Sequence, residues 1–419
     1  MNFYEISFVG EEYIMLSICF FMGAFILGSF LIEKNIKERE IKAIVFLGFL
    51  IRFFLIIKDN FFEFITFSGG DGIAFNHEGY KYLMGGNYFP FPFIKMVVGP
   101  VYSMLQMQAP SFISSLNLLA STGTIIILYA LIKQRAKWIF YEKLKLVMLI
   151  YSFSFFTVFL NVAFLRESIL LFFSMVFLYY YFKFERTENY LHLMLSLLFL
   201  VLSAYLHSGM IFLGVIALYK FYFNSRGILK IFMGMFLLAT VIVVLPYIQT
   251  LDYFKGKSLE GMVKSSKAAF EGDVPGSIYI SQYNSIPQLI MGAPLRYFYF
   301  LFSPTPNFWR GLKDIFAFLM NSSIYFFFIY CIFKDCKKIK SQISHRDRIL
   351  IESLMCGFFI ATFIFAMGTT TAGTAIRHRD KFLPLLILIY VLVESGKVKQ
   401  EKIRREKIKI NSENRGEGI

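Results

Sequence analysis

Long apolar runs recur along this chain, separated by short polar steps. A helix needs about 20 apolar residues to cross a bilayer, and fewer where an end is buried in protein. Eleven stretches fit: 13–32, 41–57, 112–132, 146–165, 168–182, 191–206, 209–223, 231–249, 315–333, 349–368 and 382–394. The pattern predicts an all-α fold, a polytopic integral membrane protein with about 11 transmembrane helices. The run 96–107 is too short to span and reads as a re-entrant or interfacial segment. Within 191–223, the polar step His207-Ser208-Gly209 predicts a tight turn between two short helices.

Charge supplies the orientation. Lys and Arg gather in alternate connections: Lys34 to Lys42, Lys133 to Lys145, Lys183 with Arg186, Arg226 with Lys230, Lys334 to Arg348, and the tail from Lys397. These read as cytoplasmic, which places the N-terminus outside and the C-terminus in the cytoplasm. The net charge of +15 is then topological, and no nucleic acid partner is expected. Only 17% of residues are charged, against about 25% in soluble proteins. The organisation expected is one transmembrane domain, 1–396, and a basic tail, 397–419, frayed or weakly helical. The N-terminus lacks a basic region and a small-residue cleavage site, so the first apolar stretch is expected to remain as a span. Cys19, Cys331 and Cys356 lie in apolar stretches and Cys336 in a Lys-rich loop; their spacing predicts neither a disulfide nor a zinc site.

Two predicted outer loops are long, about 58–111 and 250–314, and loops of that length are usually functional or carry helices of their own. In the second, prolines surround 295–302, a segment expected on the membrane surface. The first loop gives Asp71 among Gly69, Gly70 and Gly72, then His77 and Glu78, expected on a short helix with Tyr80 and Lys81. Asp71 reads either as a general base for a sugar hydroxyl or as a plain turn residue. Arg166 and Glu167 interrupt an apolar run almost without a loop. There, Arg166 reads as an anion ligand facing a cavity or as a cation among lipid headgroups. His207 marks the next outer turn, and Arg296 and Arg310 lie in the second long loop. Arg377-His378-Arg379 precede an apolar helix on the side where basic residues are scarce, and guanidinium groups suit phosphate oxygens. Together these residues fit glycosyl transfer from a lipid-phosphate donor: Asp71, His77, Glu78 and Glu167 for proton transfer, and Arg166, His207, Arg296, Arg377, His378 and Arg379 for phosphate.

Several short motifs carry a resemblance. Gly70-Asp71-Gly72 with Tyr80, followed by Gly85–Tyr88 and Gly99-Pro100-Val101-Tyr102, resembles the GT-C class of polytopic glycosyltransferases. Leu165-Arg166-Glu167-Ser168, and Gly373 to Arg379 leading into Phe382-Leu383-Pro384, resemble bacterial polysaccharide polymerases of the Wzy and EpsG type, which build O-antigen or capsule. The resemblance implies a GT-C-like helical architecture in the bacterial inner membrane. It implies an enzyme that uses undecaprenyl-(di)phosphate-linked saccharides at the outer face, beside membrane lipids and other polysaccharide assembly proteins. Asp71 would match the first-loop acid of GT-C enzymes, and Arg166, Arg377 and Arg379 the loop arginines of polymerases. The acid follows the second span instead of the first, and no second acid adjoins it, so no cofactor or divalent metal is expected. Polymerisation of repeat units is the leading expectation. Transfer of a single sugar and transport of a lipid-linked glycan are the alternatives.

Overall fold

A computed structural model describes residues 11–61, 69–224, 259–271, 283–339 and 343–416. Among these the fold is helical, without strands. Among the described residues, five helices are long and apolar enough to cross a membrane, or six if one bent pair counts as a single span. The expected stretch 231–249, the second long loop at 250–258 and 272–282, and residues 417–419 lie outside the described residues. The chain gathers into two compact units, Met1–Gln134 with Tyr141–Ile211, and Arg135–Phe140 with Phe212–Ile419.

The first unit begins with α1 (Glu11–Asn35) and α2 (Arg39–Phe61). In α1, Met15, Ile18, Met22, Ile26 and Phe30 are exposed, an apolar face suited to lipid. Next come α3 (Gly69–Leu83), a π-helical turn (Ile94–Val98) running into α4 (Gly99–Leu105), and α5 (Pro110–Arg135). The expected short helix around His77 is therefore present as α3. The segment expected to be re-entrant is the apolar helix Ile94–Leu105. The stretch 146–165 is a bent pair, α6 (Tyr141–Phe153) and α7 (Phe155–Val162), meeting at 48°. Helices α8 (Glu167–Thr187) and α9 (Tyr190–Leu206) form a hairpin. Glu188 ends α8 in the left-handed region, and the Asn189 side chain accepts from Leu191 N–H at 2.9 Å to start α9. Along the pair, Ser174 and Ser203 hydroxyls meet at 2.7 Å, and Ser196 donates to the Phe177 carbonyl at 3.2 Å. Such small polar contacts hold helices together where apolar burial cannot discriminate protein from lipid.

The two ends of this unit differ chemically. At one end Glu38 accepts from Lys133 at 2.7 Å and also from Tyr129, while Glu40 accepts from Lys145 at 2.8 Å. Two of the basic connections predicted to share a side therefore meet. At the other end Ser17 bonds Ser111 at 2.9 Å and Asn60 bonds Ser114 at 3.3 Å.

The second unit contains a 3-10 turn ending at Gly214, then α10 (Val215–Asn224), α11 (Leu259–Glu271) and α12 (Ile286–Phe302). It continues with α13 (Leu312–Ala317), a π-helical turn (Phe318–Ser322), α14 (Ser323–Ile339), α15 (His345–Gly368), α16 (Ala372–Asp380) and α17 (Leu383–Gly416). His207 is extended and breaks the chain before the 3-10 turn, where the polar step predicted a turn. The segment 295–302, expected to lie on a membrane surface, belongs to α12, which packs on α15 and α16 with Leu289, Ala293, Arg296 and Phe300 buried. Residues 383–395 of α17 are buried all round, so this apolar helix is the centre of its unit. The tail, expected to be frayed or weakly helical, continues that helix to Gly416.

Candidate functional site

The predicted residues fall into two groups, one in each unit. In the first, Asp71 lies in the opening turn of α3 and is exposed, as is His77. Glu78, next to His77 in sequence, is partly buried. Its carboxylate accepts from Lys81 Nζ at 2.7 Å and from Phe89 N–H at 2.5 Å. These bonds, the Lys81 contact foremost, hold its ionisation below the usual carboxylate range. Glu78 thereby ties α3 to the turn containing Gly85, whose φ of +68° suits glycine. The Asn76 side chain accepts from the buried Tyr102 hydroxyl at 2.6 Å, fixing α4 against α3.

Rings connect α3 and α4 to the break before α8. Phe75 meets Phe93 with centroids 5.3 Å apart, and Phe93 meets Phe164 at 6.4 Å. Residues 163–166 are irregular backbone inside an apolar bundle, and such backbone requires hydrogen-bond partners from protein. Asn117 supplies them: its amide donates to the Ala163 and Leu165 carbonyls, both at 3.0 Å. Arg166 follows, partly buried, and donates to the Leu206 carbonyl at 2.9 Å at the end of α9. Glu167 is buried at the start of α8, and His207 caps α9. Arg166, Glu167 and His207 therefore share one end of the α8–α9 hairpin, opposite the end of this unit that carries the Lys–Glu pairs.

In the second unit, Arg296 of α12 donates to the Ala366 carbonyl at 3.0 Å and to the Thr369 carbonyl at 2.9 Å, capping α15. The Thr369 hydroxyl lies 3.1 Å from His378 Nδ1, and the His378 ring packs on Phe365. Arg379 is fully buried. Its guanidinium donates to Asn321 Oδ1 (2.6 Å), the Phe300 carbonyl (2.9 Å), the Ser303 carbonyl (2.5 Å) and Ser322 Oγ (2.8 Å). It also lies over the Tyr325 ring, 5.6 Å from the centroid. Burial pulls its ionisation down to about 10, so it remains a cation at neutral pH. Arg296 and Arg379, both read from sequence as phosphate ligands, thus have guanidinium groups turned to helix-terminal carbonyls. Arg377 and His378, neighbours on α16, are partly exposed. The second unit therefore presents a cationic helix end to its surroundings, held from beneath by the two buried arginines.

Sequence reasoning passed over three residues that organise these ends. Arg52 is fully buried in α2 and donates to the Gly48 carbonyl at 3.0 Å and to the Ser152 carbonyl at 2.8 Å, in the last turn before the α6–α7 bend. A lone Arg in the apolar run 41–57 was the available signal. Asn117 and Asn321 were likewise amides inside predicted spans, among serines and threonines that sequence reasoning did not separate from them. No protein-family model, curated protein or solved structure matches this chain.

Proposed function

We propose that this protein is a membrane glycosyltransferase that uses polyprenyl-(di)phosphate-linked glycans and polymerises their repeat units. The reading includes the finer expectations: eleven spans, a GT-C-like arrangement, an inner bacterial membrane, and the lysine-rich ends facing the cytoplasm. The observation that carries it is the α16 end, where Arg377 and His378 are partly exposed between two apolar helices while Arg379 anchors their backbone from below. A fixed guanidinium beside a bilayer suits the diphosphate of a lipid carrier, whose charge grows as the glycosidic bond breaks. Within the first unit, Asp71, exposed on α3, is the candidate base for a sugar hydroxyl. No step requires a metal in this reading.

One observation favours a second reading, transport of a lipid-linked glycan. The α6–α7 span is bent at 48° and a buried Arg52 donates at the break, a discontinuity of the kind found in transporters.

The test is a gel of surface polysaccharide from a deletion strain complemented with wild type or with Arg377→Ala. Polymerisation predicts collapse of the ladder to one repeat unit, restored by wild type alone. A full ladder lacking one sugar would replace this reading with single-sugar transfer. Accumulation of lipid-linked units on the cytoplasmic side, with translocation by purified protein in liposomes and no bond formed, would replace it with transport.

A further inference from the structure

At the opposite end of the second unit, α17 leaves the apolar core and becomes strongly basic. Between Lys397 and Lys407 the sequence has six cations and two carboxylates. Lys397 marks the exit: its ammonium is 2.8 Å from Asp335 and 3.2 Å from Glu394, both largely buried. Two residues on, Lys399 lies 3.9 Å from Asp347. Lys402 then sits over the Trp138 ring at 4.8 Å, and Trp138 N–H donates to Ser395 Oγ at 3.2 Å. The helix is therefore held near its exit by Asp335 and Asp347 and by the connection Arg135–Phe140. Its remaining surface includes Arg404 and Arg405, both exposed. Beside it Trp138 and Phe140 are exposed by 42% and 57%, large rings near a row of cations.

This combination is specific. An exposed Trp ring settles at the level of lipid headgroups, and an adjacent Phe ring offers apolar contact to the chains beneath. A rigid helix emerging from a membrane-embedded core holds its cations within a Debye length of that surface. We propose that the segment 399–405, with Trp138 and Phe140, is a binding surface for anionic phospholipid headgroups. The occupant is a lipid and not a free anion, because the rings and Ile403, itself 42% exposed, offer apolar contact beside the charge. The proposal does not depend on the glycosyltransferase reading.

The chain has only two tryptophans, so Trp309→Phe leaves Trp138 as sole reporter, with the Lys402 ammonium over its ring. Purified full-length Trp309→Phe protein in neutral detergent is titrated with dihexanoyl phosphatidylglycerol, dihexanoyl phosphatidylcholine or inorganic phosphate. Phosphatidylglycerol should change Trp138 emission saturably, and about 0.5 M salt should suppress the change. Arg404→Gln with Arg405→Gln should weaken apparent affinity about 25-fold, about fivefold for each charge near a membrane surface. Equal titration by phosphatidylcholine, the same response to inorganic phosphate, or an unmoved double variant would each overturn the proposal. If Trp309→Phe does not fold, native mass spectrometry of wild type against the double variant, counting retained phosphatidylglycerol, decides the same question.

Discussion

Replacing Arg379 tests how the cationic end of the second unit is built. Its guanidinium makes four hydrogen bonds at 2.5–2.9 Å to three elements: the end of α12, the π-helical turn and the segment at Ser303. Arg379→Ala leaves the Phe300 carbonyl and Asn321 Oδ1 without this donor, while the Ser303 carbonyl keeps the Ser322 hydroxyl at 2.7 Å. Each orphaned acceptor costs about 1–3 kcal/mol in a dry interior. Polar contacts in membrane proteins average nearer 0.6 kcal/mol, because the unfolded chain in lipid also finds partners. Removing the buried charge returns several kcal/mol of desolvation. Two orphaned acceptors at the dry-interior cost give about 2–6 kcal/mol, and the desolvation returned lowers the net loss to about 2 kcal/mol. At about 2–4 °C per kcal/mol for a unit of this size, the apparent Tm should fall by at least about 4 °C. Arg379→Lys is the informative partner. It keeps the charge but has a single nitrogen, which cannot reach four acceptors in a fixed fork. Fluorescence-detected size exclusion after heating, in one detergent, measures both variants beside Arg377→Ala. The lysine variant should fall nearly as far as alanine, while Arg377→Ala should keep its Tm and lose activity. A lysine variant as stable as wild type would show that charge alone matters, and the network argument would be wrong.

Three further outcomes follow from the same geometry. Asn117→Ala removes both donors to the irregular segment 163–166 and should cost about 1–3 kcal/mol while lowering activity through Arg166; unchanged thermal unfolding would show that another group holds the segment. Gly48→Ala places a Cβ 3.0 Å from Ser152 Cβ and its carbonyl oxygen, and 3.3 Å from Arg52 Nη1, so overpacking should cost about 1–3 kcal/mol; a variant at least as stable as wild type rules out the close approach of α2 and α6. Glu78 has a depressed ionisation in the folded protein, so its contribution is complete above the ordinary carboxylate value of about 4.3 and disappears as pH falls through the folded value. Wild type should therefore exceed Glu78→Gln by about 1 kcal/mol at pH 6, the pair being partly exposed, and the two should converge near pH 3; a constant difference across that range contradicts the assignment.

What the sequence disclosed, and what it hid, follows from the length over which each signal is averaged. Apolar periodicity sums over 20 residues, so α1, α5, α8, α15 and the span Leu312–Cys336 emerge close to their expected limits. The turn at His207 is legible because three adjacent polar residues interrupt a continuous apolar run. The bend at Ser154 carries no such cluster: Phe153, Phe155 and Phe156 flank it, and what marks it is Arg52, about a hundred residues earlier in sequence. Arg379 shows the same limit for the site. Composition sees three adjacent cations, Arg377, His378 and Arg379, as equivalent. On a helix they point in different directions, about 100° apart for each step. One of them therefore turns inward to Asn321, and its neighbours remain partly exposed. The sequence identifies the cationic segment, but the division of labour within it depends on packing partners about 57–79 residues away. The same reasoning explains why Asn117 escaped notice. A single amide in an apolar run hardly alters mean hydropathy, yet it is the group that allows Arg166 to follow a break in the helix. In a membrane bundle the isolated polar residue inside a span, more than the charged loop, indicates where irregular backbone is held, and any catalytic or transport geometry in this protein must be built on those supports.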